Sequence, residues 1–320
     1  MSLLFNSIVV MKRGQKYKPI TMKRGILFLL LTIATSNICL SQEWMTSLDA
    51  AKRIALVQDK FLFMMWKDAT SIPYPVIMHD TNGNEILFDD LFKNDEINQI
   101  IWKYFVPVKV DENLYGELYD AIKDSRSRSY LAQFEDDNIK IMDVNFNIVN
   151  TSVSPQAYFN LTEFITNYGL NTSFLNAELR NYVEHKDFST AYRLASKYMD
   201  YAILVNKNTR KDIVNLSIMY LDDADRYLLT SDISDKKDFK DKINLLRWSQ
   251  YLLQNRPRKV LRLLKKFDTS EIDETTDSQL AFLYYAAYQL RKDEKNSELW
   301  KSKVSLVNLR KAELIANLHL

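Results

Sequence analysis

Hydrophobic positions change their spacing once along the chain, near residue 170. Before that point short apolar runs are interleaved with helical stretches. Leu48, Ala51, Ile54 and Ala55 share one helical face behind the capping-box-like start Thr46-Ser47-Leu48-Asp49, and this helix ends near Asp59. Residues 61–66 are apolar without interruption, which predicts a buried strand delivering the polar loop 67–71 to the edge of a sheet. Residues 75–88 read as a hairpin turning at Asn82-Gly83, followed by a helix over 90–104. Phe105-Val-Pro-Val-Lys-Val-Asp111 is the next strand, and its proline argues for a strand start or an edge position. A helical stretch over 112–134 softens at 125–129. A second hairpin pairs 139–143 with 146–149. A helix over 155–168 has Pro155 in its first turn and Gly169 as C-cap.

Beyond residue 171 alternation stops and helical periodicity takes over. Leu175/Leu179/Tyr182, Ala191/Ala195/Tyr198 and Ile213/Leu216/Tyr220/Ala224/Tyr227 mark successive stripes. Phe239/Ile243/Leu246/Leu253, Val260/Leu264, Leu280/Leu283/Ala287/Leu290 and Trp300/Val304/Val307/Leu314 continue them to the end. Short polar turns join these helices as antiparallel pairs. Residues 182–202 look like a tetratricopeptide unit, but the pair starts near 172, 211, 236 and 277 follow no fixed period. The expected body is therefore an α/β domain over 42–170 and an all-α helical-hairpin domain over 171–320.

The first of these resembles the secreted thioredoxin-like proteins of Bacteroidetes-type bacteria. The matching residues are Trp44…Ser47-Leu48-Asp49-Ala50-Ala51, then Lys60 before Phe61-Leu62-Phe63, then Phe105-Val106-x-Val108-Lys109-Val110-Asp111, and the terminal hairpin around Asp143. The resemblance implies a thioredoxin-like mixed sheet flanked by helices. It also implies a redox Cys-x-x-Cys between Trp66 and Pro75 and a cis-proline before the penultimate strand. Neither is present: the loop reads Lys67-Asp68-Ala69-Thr70-Ser71, and Asp137-Asn138 precede Ile139. Disulfide exchange needs a thiolate, so this loop has no such chemistry. The hairpin over 75–88 stands where the family's active-site helix would begin.

Charge sharpens the N-terminal reading. Residues 1–41 hold six basic residues and no acidic one, whereas the remainder holds 37 basic against 41 acidic residues. A basic face on the body, which nucleic-acid binding would need, is not implied. Lys23-Arg24 followed by an apolar run and small residues predicts an export signal cleaved after Ser41, with 1–21 as an upstream extension. Cleavage would remove Cys39, the sole cysteine, and leave packing to stabilise an exported chain. Stable membrane insertion is not expected after cleavage.

Candidate chemistry is sparse. His79, His185 and His319 fall on separate elements, so no metal centre is expected, and with Gly83, Gly116 and Gly169 the only glycines of the body, no phosphate-cradling loop or cofactor site is expected. The doublets Asp89-Asp90, Asp136-Asp137 and Asp222-Asp223 read as caps and solvated turns, because adjacent side chains diverge. Ten tyrosines in the helical half read mainly as core, with a peptide- or glycan-binding groove as the sharper reading.

The expected function is a redox-inactive, exported protein-interaction module that takes a protein or peptide partner. Its contacts would be Trp66, Asp68, Ser71, Tyr74 and Pro75, because thioredoxin-like domains meet protein substrates at this loop, together with the concave face of the helices. Two other readings stand beside it. One is a hydrolase using carboxylates in the cleft between the halves; the other is a structural envelope protein.

Overall fold

The computed structural model describes residues 43–151, 158–234, 236–270 and 272–319. The leader expected over 1–41, and Pro155 with it, lie outside the described residues.

A small mixed sheet organises the first half. Strand β1 (Leu62–Trp66) is its centre, buried along almost its whole length. It pairs in parallel with β4 (Val106–Val110), from Leu62 opposite Val106 to Trp66 opposite Val110. On its other side β5 (Lys140–Met142) runs antiparallel, with Leu62 opposite Met142. Single bridges extend the sheet both ways, Met45 to Val108 and Met142 to Ile148. A strand covered on both faces needs no polar alternation, which is why 61–66 is uniformly apolar. Pro107 is accommodated because alternate amides of β4 point to opposite sides. Val106 N–H reaches Phe61 O in the β1 direction, whereas Lys109 N–H reaches Met45 O on the outer side, the side that Pro107 also faces.

Helices flank this sheet: α1 (Leu48–Gln58), α2 (Asp95–Tyr104), α3 (Glu112–Ile122), α4 (Arg128–Glu135) and α5 (Leu161–Tyr168). Their starts obey simple capping chemistry. Ser47, Asn94, Asp111, Ser127 and Asn160 each accept an amide hydrogen bond from the first turn. The N-cap of α1 is thus Ser47, one residue beyond the expected Thr46, and α5 starts at Leu161 because Asn160 caps it there. Gly169 ends α5 with φ −72°, so it is not a left-handed cap. A Cβ there would meet Ile165 O at 2.7 Å. The core centres on Phe63, whose ring lies 5.3 Å from Trp44, 5.5 Å from Phe105 and 6.0 Å from Phe164.

A second sheet has the order β3–β2–β6, from β2 (Val76–His79), β3 (Glu85–Phe88) and β6 (Phe159–Asn160). The hairpin turn is held by Asp80, whose carboxylate accepts from the amides of Asn82 and Asn84, with Gly83 at φ 83°.

The second half is helical: α6 (Asn176–Glu184), α7 (Phe188–Leu204), α8 (Lys207–Thr230), α9 (Lys236–Leu253), α10 (Pro257–Leu264), α11 (Glu274–Leu290), α12 (Glu294–Lys301) and α13 (Leu306–Asn317). α7 and α8 form its central pair. They approach closely where Ala191 and Ala195 face α8, and Ser217 donates to Ala195 O at 2.7 Å. The chain from Gln42 to Leu320 packs as one unit. Among the described residues no helix is long and apolar enough to cross a membrane.

Candidate functional site

The five residues singled out by sequence lie on one connection, from the carboxyl end of β1 to the start of β2. They do not share one exposure. Trp66 turns its ring edge-on to Tyr115, 4.3 Å between centroids, and its buried Nε1 has no acceptor among the described residues. Tyr115 stacks in turn on Phe134 and donates to Phe134 O at 2.6 Å, which fixes Trp66 against the core. Asp68–Ser71 forms a single 3-10 turn. The Ser71 hydroxyl closes it by donating to Asp68 O at 2.6 Å, and Thr70 donates to Lys67 O at 2.7 Å. Tyr74 packs between Phe92 and Phe159, and burial, with Asp136 adding to it, pushes its phenol above the ordinary value.

What reaches solvent here is Lys67, Asp68, Ser71, Pro73, Pro75 and the apolar Ile72, 67% exposed, which sequence reasoning did not single out. The surface continues onto the hairpin. Tyr74 O accepts from Leu91 N–H at 2.9 Å and Tyr74 N–H meets Asp90, so the far end of β3 runs beside the loop. Among the described residues β3 is an edge strand, with Ile86 44% and Leu87 58% exposed. Asn82-Gly83 between two apolar runs gave the hairpin away in the sequence, but nothing in the spacing marked which strand would be left with an open edge.

At the start of β5, opposite Met64 of β1, lies Lys140, a residue unmarked in the sequence. Its ammonium is almost fully buried and donates to Asn138 O, to Asp136 O and to the Asp136 carboxylate. Burial lowers its pKa, against the pull of Asp136.

Three buried carboxylates tie residues of the two halves together, each in a separate group. Asp143, in the turn after β5, accepts from the amides of Asn145 and Asn147 through one oxygen and from the hydroxyls of Tyr220 and Tyr198 through the other. Those two rings stack, 8° apart in orientation. Asp212 of α8 accepts from Thr151 at 2.9 Å and Tyr168 at 2.7 Å. Asp223 takes both arms of Arg126, which also donates to Asn147 at 3.0 Å. Their exposures are 0% for Asp143, 1% for Asp212 and 3% for Asp223. The expectation that Asp222-Asp223 is a solvated doublet therefore fails at Asp223. α8 turns this side chain inward onto a guanidinium from the α3–α4 connection, while Asp222 pairs outside with Arg247 at 2.7 Å. Each of the three buried carboxylates is occupied by donors and shielded from solvent.

Of the tyrosines, Tyr182, Tyr198, Tyr201 and Tyr220 are buried, and Tyr192, Tyr227, Tyr251, Tyr284, Tyr285 and Tyr288 are half-buried against the same core. Among the described residues no three His, Cys, Asp or Glu side chains are grouped to hold a metal ion. Comparison of the chain with protein-family models, with curated proteins and with solved structures finds no match.

Proposed function

We propose that this chain is an exported, redox-inactive thioredoxin-like protein acting as a protein-interaction module, whose partner adds an extended peptide segment to the edge of β3. The parallel β1–β4 pair, bridged to Met45 on one side and continued by antiparallel β5 and Ile148 on the other, supports the thioredoxin-like reading. The cysteine-free connection supports the loss of redox chemistry.

One observation carries the binding reading: the unpaired edge of β3, with Ile86 and Leu87 exposed, runs into the loop that presents Ile72. An open edge supplies a ladder of backbone donors and acceptors to an added strand, and alternate side chains supply selectivity. The Asp143, Asp212 and Asp223 groups weigh against the hydrolase reading, since each is occupied and shielded.

The test is photo-crosslinking from single positions in the full chain expressed in its own host. Crosslinkers at Leu87 and Ile72 should capture one shared partner that a crosslinker at Val57, still more exposed on α1, does not. Leu87→Lys should abolish capture from Ile72 without lowering thermal stability. Equal capture from all three positions, or none from any, would sink the proposal.

A further inference from the structure

Residues 42–320 are net acidic, yet between Arg256 and Lys266 the chain carries six basic residues and no acidic one. The fold concentrates part of this charge. Arg256, Arg258, Lys259 and Arg262 join Arg291, from the turn after α11, around an open concavity of about 710 Å³. Asn255 and Pro257 complete the lining, and no carboxylate takes part in it. None of the five cations is within ion-pair distance of an acidic side chain among the described residues, although many other surface lysines and arginines are so paired. Arg291 feels the Asp293 carboxylate, which is itself committed to the Asn296 amide and side chain at the start of α12.

Local geometry explains the convergence. Asn255, in the left-handed region at φ 54°, ends α9 and turns the chain so that Arg256 N–H bonds Tyr251 O at 2.7 Å. Pro257 then starts α10 at its first turn, and Arg256 supplies no capping side chain. Lys292, also at φ 54°, turns the chain after α11, and Arg291 just before it joins the lining. Lys259 is steadied with its ammonium 3.8 Å from the centroid of Tyr251.

Uncompensated like charges repel, so five cations held around one hollow are a cost that an anionic occupant offsets. Four of them are guanidinium groups, whose forks match tetrahedral oxyanions in a bidentate manner. Five positive charges exceed what one carboxylate or one phosphate neutralises. The cluster is confined to one hollow on an acidic body, which suits a small ligand or a headgroup and does not suit a nucleic-acid track. We infer that this concavity is a binding site for a ligand bearing two or more phosphate groups. It lies on helices remote in sequence from the β3 edge, and it stands or falls independently of the function proposed above.

The experiment uses the full chain and two probes, inorganic tripolyphosphate in calorimetry and vesicles of phosphatidylcholine with or without a bisphosphorylated anionic lipid in co-sedimentation, both at about 0.05 M salt to limit screening. The double variant Arg258→Glu/Arg262→Glu is compared with Arg310→Glu, an exposed arginine outside the hollow. All three chains carry the same basic leader, so differences report on the hollow. Saturable binding of either probe, weakened about tenfold or more in the double variant but not in Arg310→Glu, is the expected result. Which probe binds then identifies a soluble ligand or a headgroup. No saturable binding of either probe, or equal loss in both variants at unchanged circular dichroism, overturns the inference.

Discussion

Arg126 and Asp223, 97 positions apart, meet through two parallel hydrogen bonds of 2.7 and 3.0 Å in a junction that water barely reaches. Such a pair stabilises only while both members are present. Removing one strands the other as a buried charge, at a cost of about 3–5 kcal/mol. Arg126→Met and Asp223→Leu should each lower the unfolding free energy read from urea titration by that amount. Arg126→Met/Asp223→Leu should lose much less than the sum of the two. Strict additivity in this double-mutant cycle would show that the pair is not coupled in solution.

The same pair sets a dependence on acid. Burial works to raise the Asp223 pKa, but the hydrogen bonds and charge of Arg126, helped by Arg226, outweigh it and hold the carboxyl below its ordinary value. A group depressed in the fold contributes stability above its unfolded pKa, about 3.9, and that contribution is lost as pH falls through the folded value. Asp143 has the opposite sign. Burial raises its pKa despite its tyrosine and amide donors, so its share is fullest below about 3.9 and declines as pH rises. Between about pH 4 and pH 2, Asp223→Asn should therefore show a shallower acid slope than the wild type. An unchanged slope in urea titrations across that range would refute the assignment to Asp223.

Tyr220 ties the Asp143 turn to α8 by donating to the carboxylate and accepting from Asn145 at 3.0 Å. Tyr220→Phe keeps the ring stack and removes only the hydroxyl, and should cost about 1–3 kcal/mol. Tyr198→Phe, whose bond to Asp143 is 3.3 Å long, should cost less. Reversal of that order in chemical denaturation would contradict the geometry.

Gly169→Ala places a methyl 2.7 Å from Ile165 O and 3.2 Å from the Tyr104 ring. The expected loss is about 1–3 kcal/mol from overpacking. A thermal midpoint equal to the wild type would show that the α5 terminus relaxes freely.

Periodicity carried much of the architecture. The uniform apolar run at 61–66 announced a doubly covered strand, and β1 lies between β4 and β5. The soft stretch at 125–129 became the break between α3 and α4, with Ser127 capping the second. Polar partnerships across the chain stayed hidden. Nothing local distinguishes Asp223, which is buried on Arg126, from its neighbour Asp222, which is paired at the surface. Helix phase decides between them, and the partner arrives from the other half. Ile72 went unremarked because a lone apolar residue between polar ones carries no periodic signal, and its exposure depends on where the 3-10 turn ends. Trp66 and Tyr74 drew notice as aromatic residues, yet both lean on the core.

The stacked rings of Tyr198 and Tyr220 above Asp143 also bear on how the chain can change over generations. A carboxylate sealed by two phenols from the helical array gives each half a private lock for the other. A lineage that exchanged the array for a different one would strip that carboxylate of its two phenol donors. The two halves are therefore expected to be inherited as an inseparable pair, with drift concentrated in the loop 67–73 and along the free edge of β3.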